Sequence, residues 1–216
     1  MSEPPASDLT ARARLRMAAL RLFAERGFEA TSTRAIAAEA DVSHALLRHH
    51  FGSKDGLRRA VDDDALSAFD RILAEFDAPA TRQGLLATFG TVTARLFGAD
   101  ELRRNYLRRS LLEGGAASGE LFTRLLNGTR ARLAMLSEGG DVETGAIPDS
   151  EAESDRLWEP YQVLFLMLGP MLLEPVMRHT LADPVFAPEA LHDRSAANQR
   201  LLTRGLRAAP GDTREP

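Results

Sequence analysis

The side chains with the most distinctive chemistry are cations gathered near the N-terminus. Residues 9–60 contain ten arginine and lysine residues against five acidic residues, a net charge of +5. Because the whole chain carries −4, the remaining residues carry −9. A basic block on an acidic body indicates a binding site for a polyanion at one end of the molecule.

Three histidines in this block, His44, His49 and His50, raise the question of a metal site. Their i, i+5, i+6 spacing does not place all three on one face of a helix, and no carboxylate is suitably spaced nearby. The chain also lacks cysteine, a G-x-S-x-G sequence and any His/Glu pair at metal-binding spacing. We therefore expect no metal, no cofactor and no enzymatic activity.

Apolar residues at helical spacing must position these cations. One stripe of a first helix is formed by Leu15, Ala18, Ala19, Leu22 and Phe23. This helix is predicted to end at Gly27 in the left-handed conformation, followed by Phe28 as its hydrophobic partner. Three serines are predicted to cap the next three helices at their N-termini: Ser32, Ser43 and Ser53.

The second and third of these helices are joined by a short turn at Asp41–Val42, which is the helix-turn-helix pattern. Leu47 and Phe51, four residues apart, are predicted to anchor the third helix inward. Four side chains of that helix then face outward, toward a DNA major groove about 12 Å wide. They are His44, Ala45, Arg48 and His49.

The run Gly27–Leu57, GFEATSTRAIAAEADVSHALLRHHFGSKDGL, resembles the signature of the TetR family of transcriptional regulators. The matching positions are Gly27–Phe28, Ser32–Thr33, Ile36–Ala37, Val42–Ser43, Leu47, Phe51, Lys54 and Leu57. By position, the resemblance implies that Arg34 and His44 contact bases of double-stranded DNA. It implies phosphate contacts for Thr33, Arg48, His50 and Lys54. With Ser43, Ala45 and His49, these residues form the predicted DNA-binding set.

Three residues depart from the family pattern. Asp41 stands where glycine is usual, Leu46 where a small polar residue often reads a base, and Arg48 where an aromatic residue is usual. Leu46 could meet a thymine methyl group or could be half-buried packing. These departures leave the predicted fold unchanged but do not allow the operator sequence to be derived.

The rest of the chain shows helical spacing only, so the fold class is predicted to be all-α. We expect a disordered arm at 1–7, a three-helix DNA-binding domain at 8–53, a larger ligand-binding and dimerisation domain at 54–206 and a disordered tail at 207–216. Within the larger domain, residues 54–78 are predicted to form a connecting helix and the acidic, glycine-rich residues 139–155 a mobile loop. The acidic run Asp62–Asp64 is predicted to be a solvated face. Residues 157–181, apolar on almost every face, are predicted to be buried on all sides.

The family resemblance favours an effector pocket for a small hydrophobic molecule in the larger domain, against the alternative that the same side chains fill a closed core. The apolar candidates are Phe89, Leu107, Phe122, Leu126, Trp158, Tyr161, Phe165 and Met171. The polar candidates are Arg108, Glu113 and His179. An architectural DNA binder without an effector would not need the roughly 150 residues that follow the helix-turn-helix.

A single helix-turn-helix buries little DNA surface, so two copies are expected to read the half-sites of a palindromic operator. The predicted homodimer interface lies on the last two long segments, about Leu157–His179 and Leu191–Leu206. Its residues are Leu164, Leu168, Leu172, Leu191, Asn198, Leu201 and Leu202. Repression is the default that the family resemblance implies.

Localisation is predicted from what the sequence lacks. The first residues show no basic segment followed by an apolar stretch, so no signal peptide is expected. The most apolar run, Val163–Leu173, is shorter than the roughly 20 residues needed to span a bilayer. We therefore expect a cytoplasmic protein with no membrane partner.

Overall fold

The structure, a computed structural model, describes residues 6–74, 98, 100–137 and 149–200. The regular elements within these ranges are helices, as the all-α prediction requires. They are α1 (Ala6–Arg26), α2 (Thr33–Glu39), α3 (His44–Phe51), α4 (Lys54–Ala74), α5 (Glu101–Leu112), α6 (Gly115–Ser137), α7 (Asp149–Met177) and α8 (Pro188–Arg200).

The chain divides into two compact units. The first contains Met1–Glu75 and Ala99–Thr129, and the second contains Phe76–Gly98 and Arg130–Pro216. The sequence instead predicts a domain boundary between residues 53 and 54. The difference arises because α4 and α5 both pack against α1 and so belong to the same unit as the helix-turn-helix.

The core of the first unit forms around α1. The predicted stripe of Leu15, Ala18, Ala19, Leu22 and Phe23 is buried throughout. Across from it lie Ile36, Leu47, Leu57 and Val61 from α2, α3 and α4, and Tyr106 and Leu107 from α5, all buried as well. One helix is therefore the common packing surface for the other four.

The end of α1 is built as the sequence predicts. Gly27 has a φ of 87°, a backbone conformation that costs glycine little, and its N–H donates to the Phe23 carbonyl at 3.0 Å. The Phe28 ring then packs against Phe23, with 5.4 Å between the ring centroids. The Thr31 hydroxyl, buried below this turn, donates to the Gly27 carbonyl at 2.6 Å.

The turn between α2 and α3 is a Schellman motif. Val42 N–H donates to the Ala37 carbonyl and Asp41 N–H donates to the Ala38 carbonyl, each at 3.0 Å. Asp41 occupies the left-handed position with a φ of 51°, which explains why glycine is usual there. Arg14 of α1 donates to the Asp41 carbonyl at 3.1 Å and to its carboxylate at 2.9 Å. The turn is thus tied to α1.

The acidic run of α4 is only partly a solvated face: Asp63 is exposed and Asp64 is half-buried, so that prediction was wrong for Asp62. Asp62 is buried and accepts a hydrogen bond from the Tyr106 hydroxyl at 2.6 Å. Asp63 pairs with Arg124 at 2.8 Å and Asp64 with Arg103 at 2.9 Å. Successive residues on a helix point about 100° apart, so three neighbouring acids reach different partners on α5 and α6.

The buried Asp62–Tyr106 pair shows the cost of this arrangement. Burial raises the pKa of Asp62 above its ordinary value, while the hydrogen bond from Tyr106 and the charge of Arg58 lower it. Burial and the adjacent carboxylate also raise the pKa of Tyr106. Tyr106 therefore remains a hydrogen-bond donor to Asp62 at any physiological pH.

In the second unit, α7 is a single helix of 29 residues that includes Pro160, Pro170 and Pro175. Its first turns, Asp149 onward, occupy part of the segment predicted as a mobile loop at 139–155, so that loop prediction was wrong for residues 149–155. Acidic residues stabilise the N-terminal turns of a helix, and this segment begins with four of them among its first seven residues.

The prediction that this helix is buried on all sides was also wrong. Leu164, Leu168 and Met171 are buried, but Trp158, Phe165 and Val176 are 51%, 53% and 61% exposed. The sequence prediction considered only the 11 residues Val163–Leu173. The longer stretch Leu157–Met177, 21 residues, is long and apolar enough to cross a membrane by length and composition alone. The core helix of a soluble protein meets the same criteria, so this single stretch is weak evidence for a membrane span.

Several predicted segments lie outside the described residues. They are residues 1–5 of the N-terminal arm, residues 75–78 of the connecting helix, residues 139–148 of the loop and everything beyond residue 200. Of the arm, Ala6 and Ser7 belong to α1.

The Asp41 turn leads to a stability prediction. Asp41→Val should lower the free energy of unfolding by about 1–2 kcal/mol, because a β-branched residue is poorly tolerated at positive φ. Asp41→Gly should stay within about 0.5 kcal/mol of the parent protein, because it relieves strain while losing an exposed ion pair worth less than about 1 kcal/mol. Urea unfolding measures both, and Arg14→Ala gives the combined contribution of the ion pair and of the hydrogen bond to the Asp41 carbonyl. Equal losses for the two Asp41 variants would contradict the backbone explanation.

Candidate nucleic-acid interface

Helix α3 presents the face that the sequence predicted. Leu47 is fully buried, whereas His44, Ala45, Arg48 and His49 are exposed. The Ser43 hydroxyl accepts from the Leu46 N–H at 3.3 Å, so this serine caps the helix. A buried leucine and a capped N-terminus therefore hold four adjacent side chains toward solvent on one short helix.

The start of α2 is connected to the start of α3 by side chains. Thr33 Oγ1 lies 3.0 Å from His44 Nε2, within hydrogen-bonding distance. Both residues line a pocket of about 240 Å³, together with Leu47, Arg48, Gly52 and Ser53. Hydroxyl, imidazole and guanidinium groups at one concave site are well suited to hydrogen-bond a phosphate oxygen.

The first turn of α4 adds backbone donors beside this pocket. The Ser53 hydroxyl accepts from the Gly56 N–H at 3.0 Å, which is the predicted cap of α4. Because a helix N-terminus concentrates N–H groups and partial positive charge, it favours an anion. Arg34 on α2 is exposed and makes no ion pair with the described residues.

Lys54 and His50, which were predicted to contact phosphate, already contact other groups of the chain. The Lys54 ammonium group lies 4.2 Å from the centroid of the Phe28 ring and donates to the Glu29 carbonyl at 3.4 Å. The His50 ring is half-buried, with its centroid 5.3 Å from that of His49 and 6.0 Å from that of Phe51. Phe51, predicted to face the core, is also half-buried, and the Arg12 guanidinium lies over its ring at 5.7 Å. Leu46 is half-buried as well.

Sequence reasoning missed how α5 holds the helix-turn-helix in place. Arg109 of α5 donates to the Ala24 and Glu25 carbonyls at 3.2 Å each, which satisfies acceptors in the last turn of α1. Glu113, just after α5, accepts from the Phe28 N–H at 2.8 Å. About 85 residues separate these partners along the chain, so no local pattern could have indicated the contacts.

The Glu113 carboxylate also reaches α4. It lies 3.7 Å from the Arg58 guanidinium, whose side chain is only 9% exposed. That guanidinium in turn lies over the Phe28 ring at 4.7 Å. The chain at Gly27 runs so close to Glu113 that a Cβ there would come within 2.6 Å of the carboxylate. The loop leading to α2 is therefore held by α4 and α5 together.

The predicted pocket residues are divided between the two units. Leu107, Arg108, Glu113, Phe122 and Leu126 belong to the first unit, and Trp158, Tyr161, Phe165, Met171 and His179 to the second. Glu113 is occupied by Phe28 and Arg58, and Arg108 donates to the Asn105 side chain at 2.6 Å. His179 is exposed, and Phe89 lies outside the described residues.

The predicted dimer residues also fall into distinct groups. Leu164, Leu168 and Leu191 are buried within their own chain, and Leu172 and Asn198 are half-buried. Leu201 and Leu202 lie outside the described residues. The apolar side chains of α7 that remain exposed include Trp158, Phe165 and Val176.

Comparison with known proteins gives a consistent result. The family model for bacterial regulatory proteins, tetR family, matches residues 15–61. The HTH-type transcriptional regulatory protein RaaS of Mycobacterium tuberculosis is 34% identical over 146 residues, 68% of this chain and 66% of that protein. The HTH-type transcriptional repressor Rv3405c of the same organism is 51% identical over 63 residues, 29% of this chain and 33% of its own length. The matches thus span between a third and two thirds of these relatives.

One solved structure matches over nearly the whole length of both chains. The transcriptional regulator FadR from Bacillus subtilis, in complex with stearoyl-CoA, has a TM-score of 0.68 at 17% identity. The match covers 90% of this chain and 99% of that chain. It supports the all-α fold beyond the N-terminal segment, where sequence similarity alone is weak.

The junction of α3 and α4 supplies a second stability prediction. A Cβ on Gly56 would overlap the Phe51 carbonyl oxygen, because α4 begins directly against the end of α3. Gly56→Ala should therefore destabilise the protein by about 1–3 kcal/mol, as overpacking does. Gly119→Ala on α6, where a Cβ would meet nothing within 4 Å, should instead stabilise it by about 0.5–1 kcal/mol. Thermal unfolding would contradict this geometry if both substitutions had the same sign.

Proposed function

We propose that this chain is a sequence-specific, DNA-binding transcriptional regulator of the tetR family, whose family model matches residues 15–61. The observation that carries the proposal is the exposed face of α3, with His44, Arg48 and His49 beside an exposed Arg34 on α2. Arg34 and His44 read bases, and Thr33, Arg48, His50 and Lys54 hold phosphates. Ser43 and Ala45 complete the contact surface.

The protein acts as a homodimeric repressor on a palindromic operator. The name of one relative supports repression, because it is a transcriptional repressor that is 51% identical over 63 residues. Dimerisation is supported by α7, where Trp158, Phe165 and Val176 are spaced 7 and 11 residues apart and so lie within about 20° of one another around the helix. An apolar stripe of this kind, left exposed in one chain, is suited to packing against a second copy.

A small, largely hydrophobic ligand binds in the larger domain, predicted at 54–206, and releases the protein from the operator. The proposal is supported by the fold that this chain shares with FadR, which binds stearoyl-CoA in its solved structure. The ligand must bind one arrangement of the dimer's two helix-turn-helix motifs better than another. Equal affinity for both arrangements would leave operator affinity unchanged. We propose that this regulator acts in the cytoplasm.

The predicted DNA contacts differ in how they respond to sequence and salt. Arg34→Ala should cost about 1–3 kcal/mol of operator affinity and relax specificity at one base position. Lys54→Ala should weaken binding to all sequences alike and reduce the salt slope by about one unit. Operators selected from random DNA and titrated at several salt concentrations measure both effects. Arg178→Ala, an exposed arginine outside the first unit, is the control.

Two outcomes would contradict the proposed DNA contacts. If Arg34→Ala and Lys54→Ala both bind the selected operator like the parent protein, α2 and α4 do not contact DNA as proposed. A uniform loss in the Arg178→Ala control would instead indicate that net charge alone determines the affinity.

The dimer prediction moves to residues that the single chain leaves exposed. Phe165→Glu together with Val176→Glu should convert the dimer to a monomer at micromolar concentration, as measured by light scattering. Arg178→Glu, at an exposed position just after α7, should leave the dimer intact. Charged substitution at the buried Leu168 would be uninformative, because it would disrupt the chain's own core. A parent protein that is monomeric would refute the proposal outright.

A further inference from the structure

Arg194, on α8 of the second unit, is an arginine whose charge the described residues do not neutralise. Its side chain is half-buried, and its Nη1 atom is buried with no hydrogen-bond partner among the described residues. Burial lowers the pKa of Arg194, and no acid among the described residues offsets that effect. A buried polar group without a partner is rare and needs an explanation, and a buried charge needs one more strongly.

The helix itself cannot supply the missing partner. Side chains three and four residues apart are neighbours on a helix, and those positions around Arg194 are Ala190, Leu191, Ala197 and Asn198. None of them carries a carboxylate. Asp193, the adjacent acid, is exposed, and neighbouring residues on a helix point about 100° apart.

The immediate surroundings of Arg194 are apolar. Its guanidinium carbon lies 5.5 Å from the centroid of the Phe186 ring, and Val185, Phe186 and Leu191 are all buried. A Cβ on Gly98 would come within 3.2 Å of the Leu191 side chain, so the chain packs closely here. The ring stabilises the cation from one side and does not pair with its in-plane donors.

We propose that Arg194 is the recognition group of an anion-binding site in the second unit, which takes a small molecule with a carboxylate or phosphate head and an apolar body. Guanidinium binds both head groups through two parallel hydrogen bonds, and the apolar residues around it, Phe186 among them, favour a ligand with an apolar body. The inference rests on the proposed function for its biological role, since this molecule is the effector. It adds the charge of that ligand, which the predicted polar residues Arg108, Glu113 and His179 do not specify.

Thermal unfolding of the full-length protein tests the site directly. Octanoate and octyl phosphate should raise the Tm by about 5 °C at saturating concentration, whereas octanamide and octanol, which lack the charge, should not. Inorganic phosphate alone distinguishes a free-anion site from one that also needs the apolar body, and only the amphiphiles should produce the full shift.

The variants separate Arg194 from general effects of charge. Arg194→Met should abolish the shift, and Arg194→Lys should retain part of it, because lysine keeps the charge but loses the bidentate geometry. Arg178→Met, an exposed position between α7 and α8, should behave like the parent protein. Without ligand, Arg194→Met should be at least as stable as the parent, because it removes an uncompensated buried charge.

Five results would overturn the proposal. Four of them are a Tm shift that survives in Arg194→Met, an equal shift with octanamide, the absence of a shift with every anion, and a clear loss of stability in ligand-free Arg194→Met. The last would show that Arg194 already has a partner within the chain. A change in oligomeric mass in that variant would assign the anion to a second copy, which also overturns a small-molecule site.

Operator binding keeps this inference distinct from the proposed function. If octanoate stabilises the parent protein but not Arg194→Met, the anion site stands whether or not the operator is released. If the operator is not bound specifically at all, the proposed function fails while the thermal result is unaffected.

Discussion

The helix-turn-helix of this protein depends on one contact between residues 85 positions apart. Glu113, at the end of α5, accepts the Phe28 N–H and faces the Arg58 guanidinium, while Arg109 satisfies carbonyls in the last turn of α1. Arg109 thus holds the end of α1, and Glu113 holds the segment between α1 and α2. The direction in which α2 and α3 leave α1 is thus set by a helix that is not part of the motif.

This dependence explains why the compact unit is larger than the motif. A short helix pair cannot bury enough apolar surface to hold one orientation, so α2 and α3 rely on α1, and α1 relies on α4 and α5. The acidic run of α4 reinforces the same assembly, since Asp62, Asp63 and Asp64 contact Tyr106, Arg124 and Arg103. Arg34 on α2 and Arg48 on α3 remain exposed.

Local features of the fold were predictable because local physics determines them. The caps at Ser32, Ser43 and Ser53 and the left-handed Gly27 follow from hydrogen-bonding needs within a few residues. The exposure of Arg48 follows from the burial of Leu47 beside it. In contrast, the partners of Glu113 and Asp62 lie far away in sequence, and a carboxylate on an amphipathic helix looks solvated until its neighbour is known. The prediction that α7 is buried on all sides failed for a related reason. Apolar composition alone does not show which faces of a helix the rest of its own chain covers.

Three breaks between helices show how the sequence fixes the position of α3. Gly27 ends α1 at positive φ, Asp41 ends α2 at positive φ with the help of Arg14, and Gly56 lets α4 begin directly against Phe51. Each break is short and has few accessible backbone conformations, so little freedom is left for α3 to tilt. An interface that discriminates among base sequences requires such rigidity, because a hydrogen bond to a base edge is lost within about 1 Å of displacement. The same residues that form the turns therefore hold the exposed side chains of α3 in one arrangement.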